Sequence, residues 1–170
     1  MRANNVFGIT GWKNSGKTTL IVALVEEFTR RGLRVSTIKH AHHAFDIDVT
    51  GKDSYRHRQA GASEVLVGSG ARWALMHELR GEAPPSLDDL LVRLSPCDLV
   101  LVEGFKGDSH PKLEVTQQRE SAPLIADFDA SVVAVVTDHS EHVRNRTTFA
   151  LNDVPGIADF ICRVCDIAGR

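Results

Sequence analysis

Short apolar runs alternate along this chain with stretches whose apolar residues recur every three or four positions. Val6-Phe7-Gly8-Ile9 predicts a buried strand. Leu20, Ile21, Ala23, Leu24, Val25 and Phe28 predict a helix behind it, ended at Arg31-Gly32. Arg34 to Ile38 reads as a second strand. Residues 41–54 hold few aliphatics and read as a loop, long enough in a compact chain to suggest a functional role. A helix is expected over Lys52 to Ala60 and a strand over Glu64 to Val67, whereas Trp73 to Leu79 fits either state. Pro84-Pro85-Ser86 opens a helix through Leu94. Asp98 to Val102 is the most apolar run and so a central strand. Lys112 to Val115, Val132 to Val136 and Thr148 to Leu151 follow as further strands, and Pro155 to Ile167 closes the chain as a helix. This βα alternation implies an α/β fold: a mainly parallel sheet with helices on both faces. The 170 residues fit a single domain spanning residues 1–170, without repeats or linkers.

Composition narrows the picture. A net charge of −2 argues against a duplex nucleic-acid partner held by bulk charge. No apolar run reaches bilayer length and no signal-peptide pattern opens the chain, so a cytoplasmic protein without a membrane partner is expected. Three cysteines make no disulfide framework. Cys162 and Cys165 are spaced as C-x-x-C, which suits a redox pair or half a metal site. They also fall at core spacing among Ile157, Phe160, Ile161, Val164 and Ala168, and the core reading is preferred.

The chemistry is concentrated at the strand ends. Gly11-Trp12-Lys13-Asn14-Ser15-Gly16-Lys17-Thr18 is a complete GxxxxGK[ST] loop between the first strand and the first helix, followed by Thr19. Its glycines let successive N–H groups converge on a di- or triphosphate, with the helix dipole behind them. Lys17 can reach the β- and γ-phosphates and Thr18 can hold Mg²⁺. The fold class is therefore P-loop NTPase-type. Glu103 ends the apolar strand and is the candidate second acid for Mg²⁺, while Asp98 at the other end reads as a strand cap. Gly104 would let the backbone approach a γ-phosphate.

Lys39-His40-Ala41-His42-His43-Ala44-Phe45-Asp46-Ile47-Asp48 supports three readings. It is a switch segment in which Asp46 or Asp48 orients water or Mg²⁺ and Lys39 meets phosphate, a polar surface loop, or a transition-metal site. The basic run from Gly51 to Arg58 fits a second anionic ligand, a partner or a solvated helix face. Asp138, after the strand at 132–136, could accept from guanine N1–H and N2–H₂ or simply cap a turn; Asn152-Asp153 is a similar candidate. His142, Arg144 and Arg146 lie where kinase lids supply arginines.

GWKNSGKTTL, VSTIKHAHHAFDID, GKDSYRHRQAGA, DLVLVEGFK, PKLEV and LNDVPGIADFI together resemble the B proteins of molybdopterin-guanine dinucleotide biosynthesis, a family of P-loop adaptor GTPases. The resemblance implies a homodimeric, Mg²⁺-dependent GTP-binding protein with weak GTPase activity that assists the molybdopterin guanylyltransferase. It makes molybdopterin a possible second ligand, with Lys52, Arg56 and Arg58 as candidate contacts. The phosphate site maps to Gly11 through Thr19, the acidic strand end to Glu103 and the switch-like segment to His40 through Asp48. Some P-loop relatives carry a signature Lys five residues before the loop Lys; here that position is Trp12, with Lys13 next. Two other functions compete: a small-molecule kinase, and a GTP-dependent metallochaperone suggested by His40, His42 and His43.

Overall fold

The computed structural model describes residues 5–41, 45–117, 123–139, 143 and 146–167. The chain divides into two compact units, one built from residues up to His40 together with those from Leu87 onward, the other from Ala41–Ser86.

The first unit is a six-stranded parallel sheet. Its strands are β1 (Val6–Thr10), β2 (Val35–Lys39), β5 (Leu99–Glu103), β6 (Lys112–Val115), β7 (Val132–Val136) and β8 (Thr147–Phe149), in the order β2-β5-β1-β6-β7-β8. Strand residues alternate between two faces. Phe7, Ile9, Leu99, Leu101, Leu113 and Val115 pack against the buried stripes of α1 (Lys17–Arg30) and α4 (Val154–Val164). Val6, Val100, Val102 and Ile38 face the other way and pack on α3 (Leu87–Leu91). Helices therefore cover both faces, as the βα alternation requires. Chain order reverses direction around β1, because α1 leads to β2 on one flank while β6, β7 and β8 build the other. The crevice at such a reversal is where ligands bind in open α/β sheets.

Lys112 and Glu114 depart from the sequence pattern. Alternating with Leu113 and Val115, they read as the wet side of a strand, yet both are fully buried. Lys112 donates to the Asp108 carbonyl and to Ser131 Oγ, and stands 3.6 Å from Asp129. Glu114 accepts from the N–H groups of Ile125 and Ala126 at 2.9 and 2.8 Å. It thereby caps a 3-10 turn (Ile125–Asp127) that no local pattern announces. Burial pushes its carboxyl above the usual range.

The second unit holds α2 (Asp53–Gln59) and an antiparallel hairpin of β3 (Glu64–Gly68) and β4 (Trp73–His77). The ambiguous segment at 73–79 is thus a strand over Trp73–His77, and neither strand joins the parallel sheet. Val65 is buried, whereas Leu66, Leu75 and Trp73, cross-strand neighbours on the opposite face, are 64%, 43% and 65% exposed. Among the described residues, no helix is long and apolar enough to cross a membrane.

Candidate functional site

The phosphate loop leaves β1 at its carboxyl end and runs into α1. Gly11 adopts φ 144°, and a Cβ there would strike the Val115 carbonyl and lie 2.6 Å from Ser15 Oγ. Only glycine leaves room for the loop to close against β6. Asn14 takes φ 64°, a left-handed conformation that Asn tolerates better than most residues. Ser15 is buried beneath the ring, and its carbonyl accepts from Gln117 Nε2 at 3.4 Å. Lys17 curls back so that its ammonium donates to the Trp12 carbonyl at 2.5 Å and meets Ser15 Oγ at 3.4 Å. No side chain caps the start of α1, which leaves its first N–H groups to an anion. Lys13, Asn14, Thr18 and Thr19 face solvent.

Thr18 and Glu103 are 85 positions apart in sequence, yet Thr18 Oγ1 donates to Glu103 Oε1 at 3.3 Å and lies 3.5 Å from Oε2. Parallel pairing of β1 with β5 sets Ile9 opposite Glu103 and so brings the acid to the mouth of the loop. A hydroxyl and a carboxylate are hard oxygen donors, the set Mg²⁺ takes. Lys39, expected at phosphate, pairs instead with Glu103 Oε2 at 3.2 Å. Asp98 accepts from the Arg34 N–H at 2.7 Å at the far end of the strand, the capping role read from sequence.

Asp46 and Asp48 belong to the second unit, where Arg58 gathers them. Its guanidinium bonds Asp46 at 2.9 and 3.0 Å, Asp48 at 3.2 Å and Glu78 at 2.9 Å. Asp48 also accepts from Ser54 Oγ at 2.7 Å. The Asp48 N–H and then Arg58 hold the Asp46 carboxyl below its ordinary range. Ser54 leads the causes that do the same for Asp48. Arg58 is thus neither on a solvated face nor open to an anionic ligand, whereas Arg56 on the same helix is largely exposed. His42 and His43 lie outside the described residues. Among the described residues, no group of three or more His, Cys, Asp or Glu is placed to hold a metal.

Asp138 is exposed just beyond β7, on a turn in which Thr137 Oγ1 accepts from the His139 N–H at 3.1 Å. Asp153 is committed elsewhere, capping α4 through the Gly156 N–H at 3.1 Å. Arg146 donates to the carbonyls of Val132 and Ala126, a structural clasp in place of a lid contact; His142 and Arg144 lie outside the described residues. Burial pushes the Cys165 thiol up to about 12 and raises that of Cys162, in keeping with the core reading of both.

Sequence reasoning assigned no role to Gln117, Glu114 or Lys106. Lys106 stands 4.6 Å over the Trp12 ring, whose indole N–H donates to the Pro123 carbonyl at 3.0 Å. The Glu-Gly-Phe-Lys run was a visible signal for Lys106, but the ring beneath it comes from a segment 94 positions earlier.

Residues 6–138 match the family described as Molybdopterin guanine dinucleotide synthesis protein B. The chain is 44% identical over 158 residues to the Molybdopterin-guanine dinucleotide biosynthesis adapter protein of Haemophilus influenzae, covering 92% of this chain and 86% of that one. It is 38% identical over 159 residues to the protein of the same description from Escherichia coli, covering 92% and 90%. A crystal structure of molybdopterin-guanine biosynthesis protein B superposes with a TM-score of 0.73 at 28% identity, covering 94% of this chain and 99% of that one. The Bacillus subtilis MobB structure superposes at 0.71 with 26% identity, covering 94% and 97%. Sequence and fold therefore agree along nearly the whole chain, which belongs to the molybdopterin guanine dinucleotide synthesis protein B family.

Proposed function

We propose that the chain is a GTP-binding adapter with weak Mg²⁺-dependent GTPase activity, assisting the guanylyltransferase that joins GMP to molybdopterin. The observation that carries this reading is the approach of the Thr18 hydroxyl to the Glu103 carboxylate beside a loop that only Gly11 can close. Gly11, Trp12, Lys13, Asn14, Ser15, Gly16, Lys17, Thr18 and Thr19 would surround the phosphates. Lys17 would neutralise their charge, and Thr18 and Glu103 would hold Mg²⁺. The metal would supply charge neutralisation at the phosphates. Asp138, exposed at the carboxyl end of β7, would select guanine by accepting from its N1–H and N2–H₂. Asp46 or Asp48 would order the attacking water. The Asp48 N–H, then Arg58, lowers the Asp46 carboxyl, and Ser54, with Arg58 behind it, lowers that of Asp48, which suits an acceptor that aligns water better than a base that removes its proton.

The adapter descriptions of the relatives point to a partner enzyme and, through it, to molybdopterin. Lys52 and Arg56, the latter exposed and paired with Asp53 at 3.8 Å, would meet its anionic groups. The exposed apolar face of the β3–β4 hairpin supports the homodimer. A two-stranded ribbon is marginal in water, and Leu66, Leu75 and Trp73 would gain by covering one another in a second copy. In this reading the protein works in the cytoplasm, where GTP and Mg²⁺ are supplied.

Calorimetric titration of GTP and ATP in Mg²⁺ against wild type and Lys17→Ala tests the assignment. GTP preference is expected, with binding weakened about a hundredfold or more in the variant. Undiminished binding by Lys17→Ala would remove the phosphate site, and ATP preference would move the reading to a kinase.

A further inference from the structure

Immediately beyond Glu103 the chain turns sharply. Gly104 at φ 98° and Phe105 at φ 48° are consecutive left-handed residues. A Cβ at Gly104 would lie 2.7 Å from His40 Cβ, so the turn is seated against the end of β2, where the His40 N–H donates to the Glu103 carbonyl at 2.8 Å. The Phe105 ring packs on the His40 imidazole with centroids 5.0 Å apart. A bulky residue persists at such a φ only where its surroundings over-determine it, and such places cluster at functional sites.

The turn delivers Lys106. Its ammonium stands 4.6 Å from the centroid of the Trp12 ring, and Trp12 is the second residue of the phosphate loop. That ring is immobilised by its bond to Pro123 and by packing against the cluster of Ile125, Ala126, Val132 and Val135. The Trp12 carbonyl meanwhile receives the Lys17 ammonium. Two cations therefore converge on one loop residue, one at its carbonyl and one at its ring. Lys106 is also close enough to draw the Glu114 carboxyl downward against the effect of burial. An aromatic face holds an ammonium less firmly than a charge-assisted hydrogen bond to phosphate does.

We propose that Lys106 is a second cation of the phosphate site, resting on the Trp12 ring and recruited by the terminal phosphate of a bound nucleoside triphosphate. This rests on the reading of the loop as a GTP site and adds to it a group that senses the number of phosphates.

The test is calorimetric titration of GTP and of GDP, each with Mg²⁺, against wild type, Lys106→Met, Lys106→Arg and Lys17→Ala, with melting curves to confirm folding. Lys106→Met is expected to weaken GTP about tenfold or more while changing GDP less than about twofold, and Lys106→Arg to restore most of the difference. The ratio of the two affinities is the readout, because a merely structural lysine would shift both alike. An unchanged ratio in Lys106→Met, with Lys17→Ala still weakening GTP about a hundredfold or more, overturns this inference and leaves the GTP site standing. Wild type that binds neither nucleotide overturns both.

Discussion

Gly11 shows how little freedom single residues have at the loop. Its φ of 144° and the Val115 carbonyl beside it leave no room for a methyl group. Gly11→Ala should cost on the order of 1–3 kcal/mol through backbone strain, and a further amount through displacement of Val115. A melting curve and a GTP titration should therefore both fall, the second through distortion of the N–H ring. Retained binding at wild-type strength would show that the loop closes in some other way. At this scale the motif was readable because each residue type answers a local demand. The partnership of Thr18 with Glu103 was readable because acids at strand ends have a standard place in such sheets. Lys112 and Glu114 were not readable. Their alternation with Leu113 and Val115 is what a half-wet strand also shows, and only partners outside the strand, Asp108, Ser131, Ile125 and Ala126, make their burial tolerable.

Among the elements, α1 and α4 share the face of the sheet behind the loop and are tied by charge from the C-terminal end of α1 to the middle of α4. Arg31 bonds Glu27 at 2.7 Å and Asp159 at 2.5 Å, bridging the two helices. Hydrogen bonds from Arg30 and then Arg31 hold the Glu27 carboxyl at about 2, against an ordinary 4.5. A depressed carboxyl contributes stability above its unfolded value and loses it as pH falls through the folded one. The melting temperature of wild type should thus exceed that of Glu27→Gln by about 2–4 °C above pH 4.5. The gap should close as pH approaches 2. A gap independent of pH would mean that the Arg pairs add nothing. Helix and strand types followed from periodicity for α1, α2, β1, β5 and β7. β4 did not, because Trp73 to His77 acquires its identity from β3 across the hairpin. α3 ends at Leu91, short of the expected Leu94, after one good turn packed on the second face.

The molecule as a whole carries an apolar surface that its own described residues leave uncovered. If Leu66, Leu75 and Trp73 meet a second copy, sedimentation equilibrium should give twice the chain mass. Joint substitution of Leu66→Ser and Trp73→Ser should lower it toward the monomer without loss of the parallel sheet, which belongs to the other unit. A wild-type monomer at micromolar concentration would exclude the dimer. The family was recognisable from short runs spread along the sequence. The division into two units was not, since the aliphatic-poor run from 41 and Pro84-Pro85-Ser86 read as a loop and a helix start within one domain, and the boundary follows from which strands pair.

The strand order also fixes when the loop can exist during synthesis. β1 and β2 do not pair with each other; both wait for β5, and Arg34 meets its partner Asp98 only 64 positions later. At about 5–20 residues per second, a ribosome needs roughly 3–13 s to supply that stretch. Throughout it Val6-Phe7-Gly8-Ile9 and α1 have no sheet to rest on, while both strands of the hairpin in the contiguous segment 41–86 are made before β5. The nascent chain therefore holds every residue of the 41–86 unit before β5 arrives, and the Gly11–Thr18 loop closes late, which makes the emerging N-terminal segment a natural client for chaperones.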